Sequence, residues 1–290
     1  MGSVPSSPLW DPCPFSKYAP EALRMDIAQM QTQAKVIRPD AKLRLVVCGG
    51  GGDGKSATIN NILSALEGRY TQAANTGGMP THVTQKYVEY MMLLDEATDS
   101  NFLICEMPGL MEGLSEDQNK VQTEAIKASI MGKFQSCHMV DYQSQTIEEL
   151  QGMKEKQDRA ACVIFVVDAR KVRNDILKDS SPFECMKSVL TFVLAEEIKT
   201  ACILDKCDEV DVDVKKHVEN IYYSKAVEHC RLTLHHLFMG FPEDRIFPIV
   251  NYTKNLEATT RMMVPSLFAL KHIMSDILSN LKRRIPANRC

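Results

Sequence analysis

Eight residues near the start of the chain have types and spacing suited to holding a phosphate. Gly49, Gly50, Gly51, Gly52, Asp53, Gly54, Lys55 and Ser56 follow the apolar run LRLVVC and match G-x-x-x-x-G-K-[ST] from Gly49. Successive backbone N–H groups in such a loop wrap phosphate oxygens, and glycine lets the anion approach closely. A helix opening at Lys55 directs the positive end of its dipole at the anion, with Ala57 in the first turn. Lys55 is expected to neutralise the β- and γ-phosphates and Ser56 to set its hydroxyl on Mg²⁺. A loop that keeps the pattern without binding nucleotide is the alternative.

Base choice must come from later segments. NFLICEMPGL closes an apolar run with Glu106 and Gly109 in the order of a D-x-x-G switch, so Glu106 is expected near a metal-bound water and the Gly109 N–H near the γ-phosphate. Glu106 is one methylene longer than the usual Asp. ACILDKCDEVD resembles a guanine reader of the form [NT]-K-x-D: Asp208 would accept from guanine N1 and N2, and Lys206 would lay its stem on the base. An unpaired buried acceptor would penalise adenine. Asp205 stands where that pattern has Asn or Thr, and a carboxylate lacks the amide's donors. Asn251 and Tyr252, in IFPIVNYTK, fall in chain order where a last base-contacting loop belongs, although an Asn turn explains them equally well. For the first switch, Thr76, Thr81 and Thr84 are available in NTGGMPTHVTQ, and Thr81 is the choice for Mg²⁺ and the γ-phosphate. Leu110 and Met111 follow Gly109, so no Gln there orients an attacking water; slow hydrolysis, or hydrolysis only on self-association, is expected.

Elements able to position these residues can be read from periodicity. Strands are expected at 43–48, 86–94, 102–106, 161–167, 200–204 and 245–250, and helices at 55–67, 115–133, 183–197, 214–238 and 262–284. Only 86–94 and 102–106 are joined by a short polar turn, so one antiparallel strand is expected in a mostly parallel six-stranded sheet with helices on both faces, an α/β arrangement that suits a P-loop NTPase. Residues 1–40 read as a proline-rich arm followed by an amphipathic helix from 21 to 37, ahead of a domain over 41–290. Segment 136–160 reads as an insertion with one short helix.

Composition limits the function classes. With 34 Lys plus Arg against 37 Asp plus Glu in 290 residues the net charge is −3, which offers no basic surface for nucleic acid. Cys48, Cys105, Cys162 and Cys202 lie in apolar runs where thiols act as small hydrophobes, and no C-x-x-C pair suggests zinc. No apolar run is long enough to span a bilayer, and a cytoplasmic protein is expected. Met1, Gly2 and Ser6 fit M-G-x-x-x-[ST], so membrane contact is expected only if Gly2 is myristoylated, with Lys282, Arg283 and Arg284 as a second signal. His82, His138, His217, His229, His235 and His236 show no metal spacing.

Taken together, GGGGDGKSATINNIL, THVTQKYVEY, CVIFVVDAR, HVENIYYSKAVEHC and FPEDRIFPIVNYTKNLEAT resemble the interferon-induced protein 44 and 44-like family of P-loop GTPase-like proteins over most of residues 43–284. The resemblance implies a Ras-like domain that binds GTP or GDP with Mg²⁺ in an innate immune or antiviral response. Two classes remain: a GTP-dependent switch or slow GTPase capable of nucleotide-dependent self-association, and an interaction scaffold on the same fold. An ATP-dependent kinase is a third, weaker reading, since 136–160 supplies only Arg159 for a lid.

Overall fold

The computed structural model describes residues 15, 18–75, 85–94, 100–238, 241–251 and 260–283. Its strands are β1 (Leu43–Cys48), β2 (Lys86–Met91), β3 (Phe102–Glu106), β4 (His138–Met139), β5 (Ala160–Asp168), β6 (Lys199–Asp205) and β7 (Ile246–Pro248). They form one sheet in the order β4-β2-β3-β1-β5-β6-β7. The ladders of β1 with β3 and β5, β5 with β6, and β6 with β7 are parallel, while β2 pairs antiparallel with both β3 and β4. A single strand, β2, therefore opposes the rest, as expected. The sheet has seven strands rather than six, because β4 adds to the outer side of β2 from within the expected insertion. Two residues carry no periodicity, so nothing in the sequence marked them.

Alternation along the strands divides the core into two layers. Val46 and Cys48, Leu103 and Cys105, and Val163, Phe165 and Val167 face one layer; Leu45 and Val47, Phe102 and Ile104, and Cys162, Ile164 and Val166 face the other. The first layer is closed by helices α3 (Glu116–Ile130), α6 (Ser181–Ala195) and α8 (Lys225–Leu237), the second by α1 (Pro20–Ile37), α2 (Lys55–Glu67) and α9 (Thr260–Arg283). Leu23, Ile27 and Ala34 of α1 are fully buried, so this helix is part of the second layer. Three one- to two-turn helices also stand among the described residues: α4 (Ile147–Gly152), α5 (Ala169–Arg173) and α7 (Val212–Lys216). The short helix expected in 136–160 is α4, opened by Thr146, whose hydroxyl accepts from the Glu149 N–H while the Glu149 side chain returns to the Thr146 N–H.

Three local expectations differ from the structure. The last strand covers only Ile246–Pro248 rather than 245–250, with Arg245 closing a 3₁₀ turn before it. The single helix expected over 214–238 is broken into α7, a 3₁₀ turn at Val218–Tyr222 and α8, with His217 extended between the first two. Ser224 starts α8 anew, its hydroxyl accepting from the Val227 N–H at 3.1 Å, a cap that outweighs continuing the apolar period. The second strand stops at Met91 instead of 94, with Met91 exposed and Met92 buried. Arg44, in the middle of LRLVVC, is fully buried: its Nε donates to Tyr87 Oη at 3.2 Å, and its Nη1 and Nη2 to the carbonyls of Asp158 and Ser129 at 2.9 and 3.0 Å. The cation is thus accommodated by carbonyls and a phenol that consume its donors. Cys48, Cys105, Cys162 and Cys202 are buried and free, as expected. No described helix is long and apolar enough to cross a membrane.

Candidate nucleotide site

β1 delivers its last residue, Cys48, into the glycine-rich turn, and α2 begins at Lys55. Gly54 makes that handover possible. Its φ is 100° and ψ 12°, a left-handed conformation, and a β-carbon there would lie 1.9 Å from Asp205 Oδ2. Only glycine escapes both penalties.

The Gly109 segment is laced directly to this loop. Gly51 N donates to the Leu110 carbonyl at 2.8 Å and Leu110 N to the Gly49 carbonyl at 3.0 Å, extending the β1–β3 ladder through a bridge between Gly50 and Leu110. A β-carbon on Gly109 would stand 2.9 Å from Gly51 Cα and 3.2 Å from Lys55 Nζ, so its backbone rests against both the loop and the lysine. Lys55 is 6% exposed and its Nζ donates to the Gly49 and Gly50 carbonyls at 3.2 and 2.9 Å. Burial lowers its pKa, opposed by the charges of Asp53 and Glu106. The ammonium is held at the inner side of the turn, where an anion would offer better acceptors than carbonyls.

Ser56 and Glu106 touch each other directly. The Ser56 hydroxyl donates to Glu106 Oε1 in a short contact, and Tyr90 Oη donates to Glu106 Oε2 at 3.2 Å. Tyr90 reaches diagonally across the β2–β3 pair, in which it sits opposite Ile104. The extra methylene of Glu relative to Asp brings the carboxylate to the serine itself. Burial raises the Glu106 pKa, partly offset by Ser56, Lys55 and Tyr90. A hydroxyl and a carboxylate beside a phosphate cradle are hard oxygen donors of the kind Mg²⁺ accepts alongside phosphates and waters.

The segment after β6 also reaches the loop. Lys206, at φ 59° and ψ 34°, turns back so that its Nζ donates to the Gly52 carbonyl at 2.5 Å and to Asp168 Oδ2 at 2.8 Å. Asp205 is 1% exposed, accepts from the Lys206 N–H at 2.6 Å, and is pushed by burial up to about 7. Asp208 is half-buried in the turn Cys207–Glu209, and burial raises its pKa. Asn251 lies against the same loop with its amide committed to α2: Nδ2 donates to Thr58 Oγ1 at 3.0 Å and Oδ1 accepts from Asn61 Nδ2 at 3.0 Å. Its geometry is that of a tie between the loop after β7 and the phosphate-loop helix.

Gly49 to Ala57, Glu106, Gly109, Asp205, Lys206, Asp208 and Asn251 are thus gathered at the carboxyl ends of the parallel strands. Thr76, Thr81, Thr84, Tyr252, Gly2 and Arg284 lie outside the described residues. Reading the sequence missed Asp168, Lys171 and Tyr90. Asp168 had a signal, an acid ending an all-apolar strand as Asp205 does; Lys171 and Tyr90 had none. Asp168 is 2% exposed; burial opposes its charge, but Arg170 and Lys206 outweigh this and lower its pKa.

No family model matches the chain. Interferon-induced protein 44-like of Homo sapiens is 24% identical over 267 residues, covering 89% of this chain and 57% of that protein. Interferon-induced protein 44 of Mus musculus is 24% identical over 238 residues, covering 80% and 54%. The chain therefore spans little more than half the length of the curated relatives it matches, and its resemblance to the interferon-induced protein 44 family extends over most of its own length. Among solved structures, a probable GTP-binding protein engB aligns with 82% of this chain and 99% of its own at 18% identity and TM-score 0.44. A dimerization-deficient mutant of Toc33 from Arabidopsis thaliana aligns with 92% and 96% at 12% identity and TM-score 0.48. The chain has an α/β fold, a mostly parallel sheet with helices on both faces and a glycine-rich loop between β1 and α2.

Proposed function

We propose that this protein binds guanine nucleotide with Mg²⁺ and acts as a GTP-dependent switch or slow GTPase. The observation that carries the reading is the pair of backbone hydrogen bonds between Gly49–Gly51 and Leu110, with Lys55 beneath them. A γ-phosphate bound between Lys55 and the Gly109 N–H would have to alter that lacing, which gives the two nucleotide states different surfaces. Slow turnover follows from the segment after Gly109: Leu110 is buried, and the side chain of Gln122 is spent on Met111, accepting from its N–H at 2.6 Å and donating to its carbonyl at 3.2 Å. The names of the curated relatives support an interferon-linked, innate immune setting. The buried free thiols support a reducing, cytoplasmic one.

Displacement of fluorescent GDP by GDP, a non-hydrolysable GTP analogue and ATP tests the base preference. ATP should compete at least about tenfold more weakly than GDP, and Asp208→Ala should bring GDP down to the ATP level. Equal competition by GDP and ATP in the unaltered protein would overturn the guanine reading.

Ser56 and Glu106 are the residues that would hold Mg²⁺, and Tyr90 sets the carboxylate's orientation. Replacing Tyr90 by Phe removes one hydrogen bond to a charged acceptor. The Mg²⁺ concentration that half-saturates GDP binding should rise about three- to tenfold, with GDP affinity in excess chelator unchanged. An unaltered Mg²⁺ requirement would contradict this role.

A further inference from the structure

The phosphate loop carries an acid at its centre. Asp53 is 1% exposed, its Oδ2 accepts from the Gly50 N–H at 2.9 Å, and it lies two residues before the lysine that is to meet phosphate. A buried carboxylate at that place repels the anion the loop is shaped for, and it also engages one of the loop's own N–H donors. Its charge is met from outside the loop. Lys171, on the single turn α5 that follows β5, brings Nζ to 2.9 Å from Asp53 Oδ1 and to 3.6 Å from Glu112 Oε1, three residues beyond Gly109. Burial works against the Lys171 charge, but the carboxylates of Asp53, Glu112 and Asp168 together outweigh it and raise the lysine's pKa. Asp53 also adds to the field at Lys55.

Resting on the nucleotide-binding reading, we infer that Lys171 is a positioning residue that makes the phosphate loop receptive to anions: it cancels the Asp53 charge and holds that carboxylate away from the nucleotide, without touching phosphate itself. Glu112 gives the same ammonium a second partner on the Gly109 segment, so the compensation links the two pieces of backbone that must change with the nucleotide.

The inference makes an unusual demand, that the loss caused by removing one charge be restored by removing the other. Full-length protein carrying Lys171→Met, Lys171→Arg, Asp53→Asn, or Asp53→Asn with Lys171→Met would be titrated with fluorescent GDP in Mg²⁺, with melting temperature recorded without nucleotide. Lys171→Met leaves a buried carboxylate unpaired and should weaken GDP binding about a hundredfold. Lys171→Arg should bind as the unaltered protein does. Asn at 53 keeps an oxygen for the Gly50 N–H and removes the charge that Lys171 offsets, so adding Lys171→Met to Asp53→Asn should change GDP affinity by less than about threefold. A double variant as weak as Lys171→Met would overturn the inference and make Lys171 a direct phosphate ligand. An Asp53→Asn protein that no longer binds would overturn it by showing the carboxylate itself to be required. If Lys171→Met does not fold, Asp53→Asn against the double variant decides, since neither leaves a buried carboxylate unpaired and Lys171 keeps Glu112 in the single variant: equal affinities support the inference and a fall in the double variant overturns it. Absence of GDP binding by the folded, unaltered protein would instead reject the nucleotide-binding reading, and the inference with it.

Discussion

Gly54→Ala will cost this protein about 2–4 kcal/mol of stability and lower its nucleotide affinity at least about tenfold. Two effects add. At φ 100° a β-carbon is strained whatever surrounds it, and here it would also arrive 1.9 Å from Asp205 Oδ2 and 3.0 Å from Asp205 Cγ. Asp205 has little room to yield, being buried at the end of β6 and fastened to the Lys206 N–H. Relief must come from the turn itself, which then loses the arrangement of N–H groups that phosphate requires. Gly152 at the end of α4 is the internal control, because a β-carbon there meets nothing within 4 Å. Gly152→Ala should leave stability unchanged or raise it by up to about 1 kcal/mol. Equal melting temperatures for the two variants would refute the steric argument.

The second large effect belongs to Asp205 itself, and its sign depends on pH. In the folded protein burial pushes its carboxyl up from 3.8 to about 7, whereas the unfolded chain gives up that proton near 3.8. Between these values the unfolded state binds fewer protons, so the Asp205 contribution to stability is largest below about pH 4, falls as pH rises toward 7, and is level above. Asp205→Asn removes this loss. The variant should be more stable than the unaltered protein by about 2–4 kcal/mol at pH 8, with an advantage about 2 kcal/mol smaller at pH 5.5. Chemical unfolding at the two pH values measures it. An advantage independent of pH would mean that Asp205 ionises normally in the fold. The amide also has the donors that the carboxylate lacks, so GDP affinity of the variant should match or exceed that of the unaltered protein.

Much of the sheet was legible because several signals coincided. β1, β3 and α2 begin and end where the apolar runs and the glycine-rich turn place them, since local pattern and long-range packing ask for the same thing there. Opposition by β2 alone followed from a connection too short to cross over. Where the reading failed, tertiary structure overrode the period: Ser224 restarted a helix inside an apolar pattern, and β4 exists because β2 has a free edge to pair. Arg44 could not have been foreseen as a core residue, because its acceptors come from positions 43, 85 and 114 residues away.

The same division holds at the site. Lys55, Ser56, Glu106 and Gly109 were singled out by motif, and the fold brings them together. Asp53 was read only as backbone within that motif, while its side chain forms a buried ion pair. Lys171, its counterion, lies 118 residues further on in the chain, and short-range patterns carry no information about such a pairing. Asn251 was read as a possible base contact by its order in the chain; the fold shows its amide tied to Thr58 and Asn61.

The central claim is that the Gly49–Ser56 loop holds a guanine nucleotide, and calorimetric titration of GDP in Mg²⁺ into the unaltered protein and into Lys55→Ala tests it most directly. The account predicts one site in the unaltered protein and a loss of about a hundredfold or more in the variant, because a charge-assisted contact to phosphate cannot be replaced by a methyl group. Folded, unaltered protein that takes up no GDP, or a Lys55→Ala variant that binds it equally well, would contradict the account.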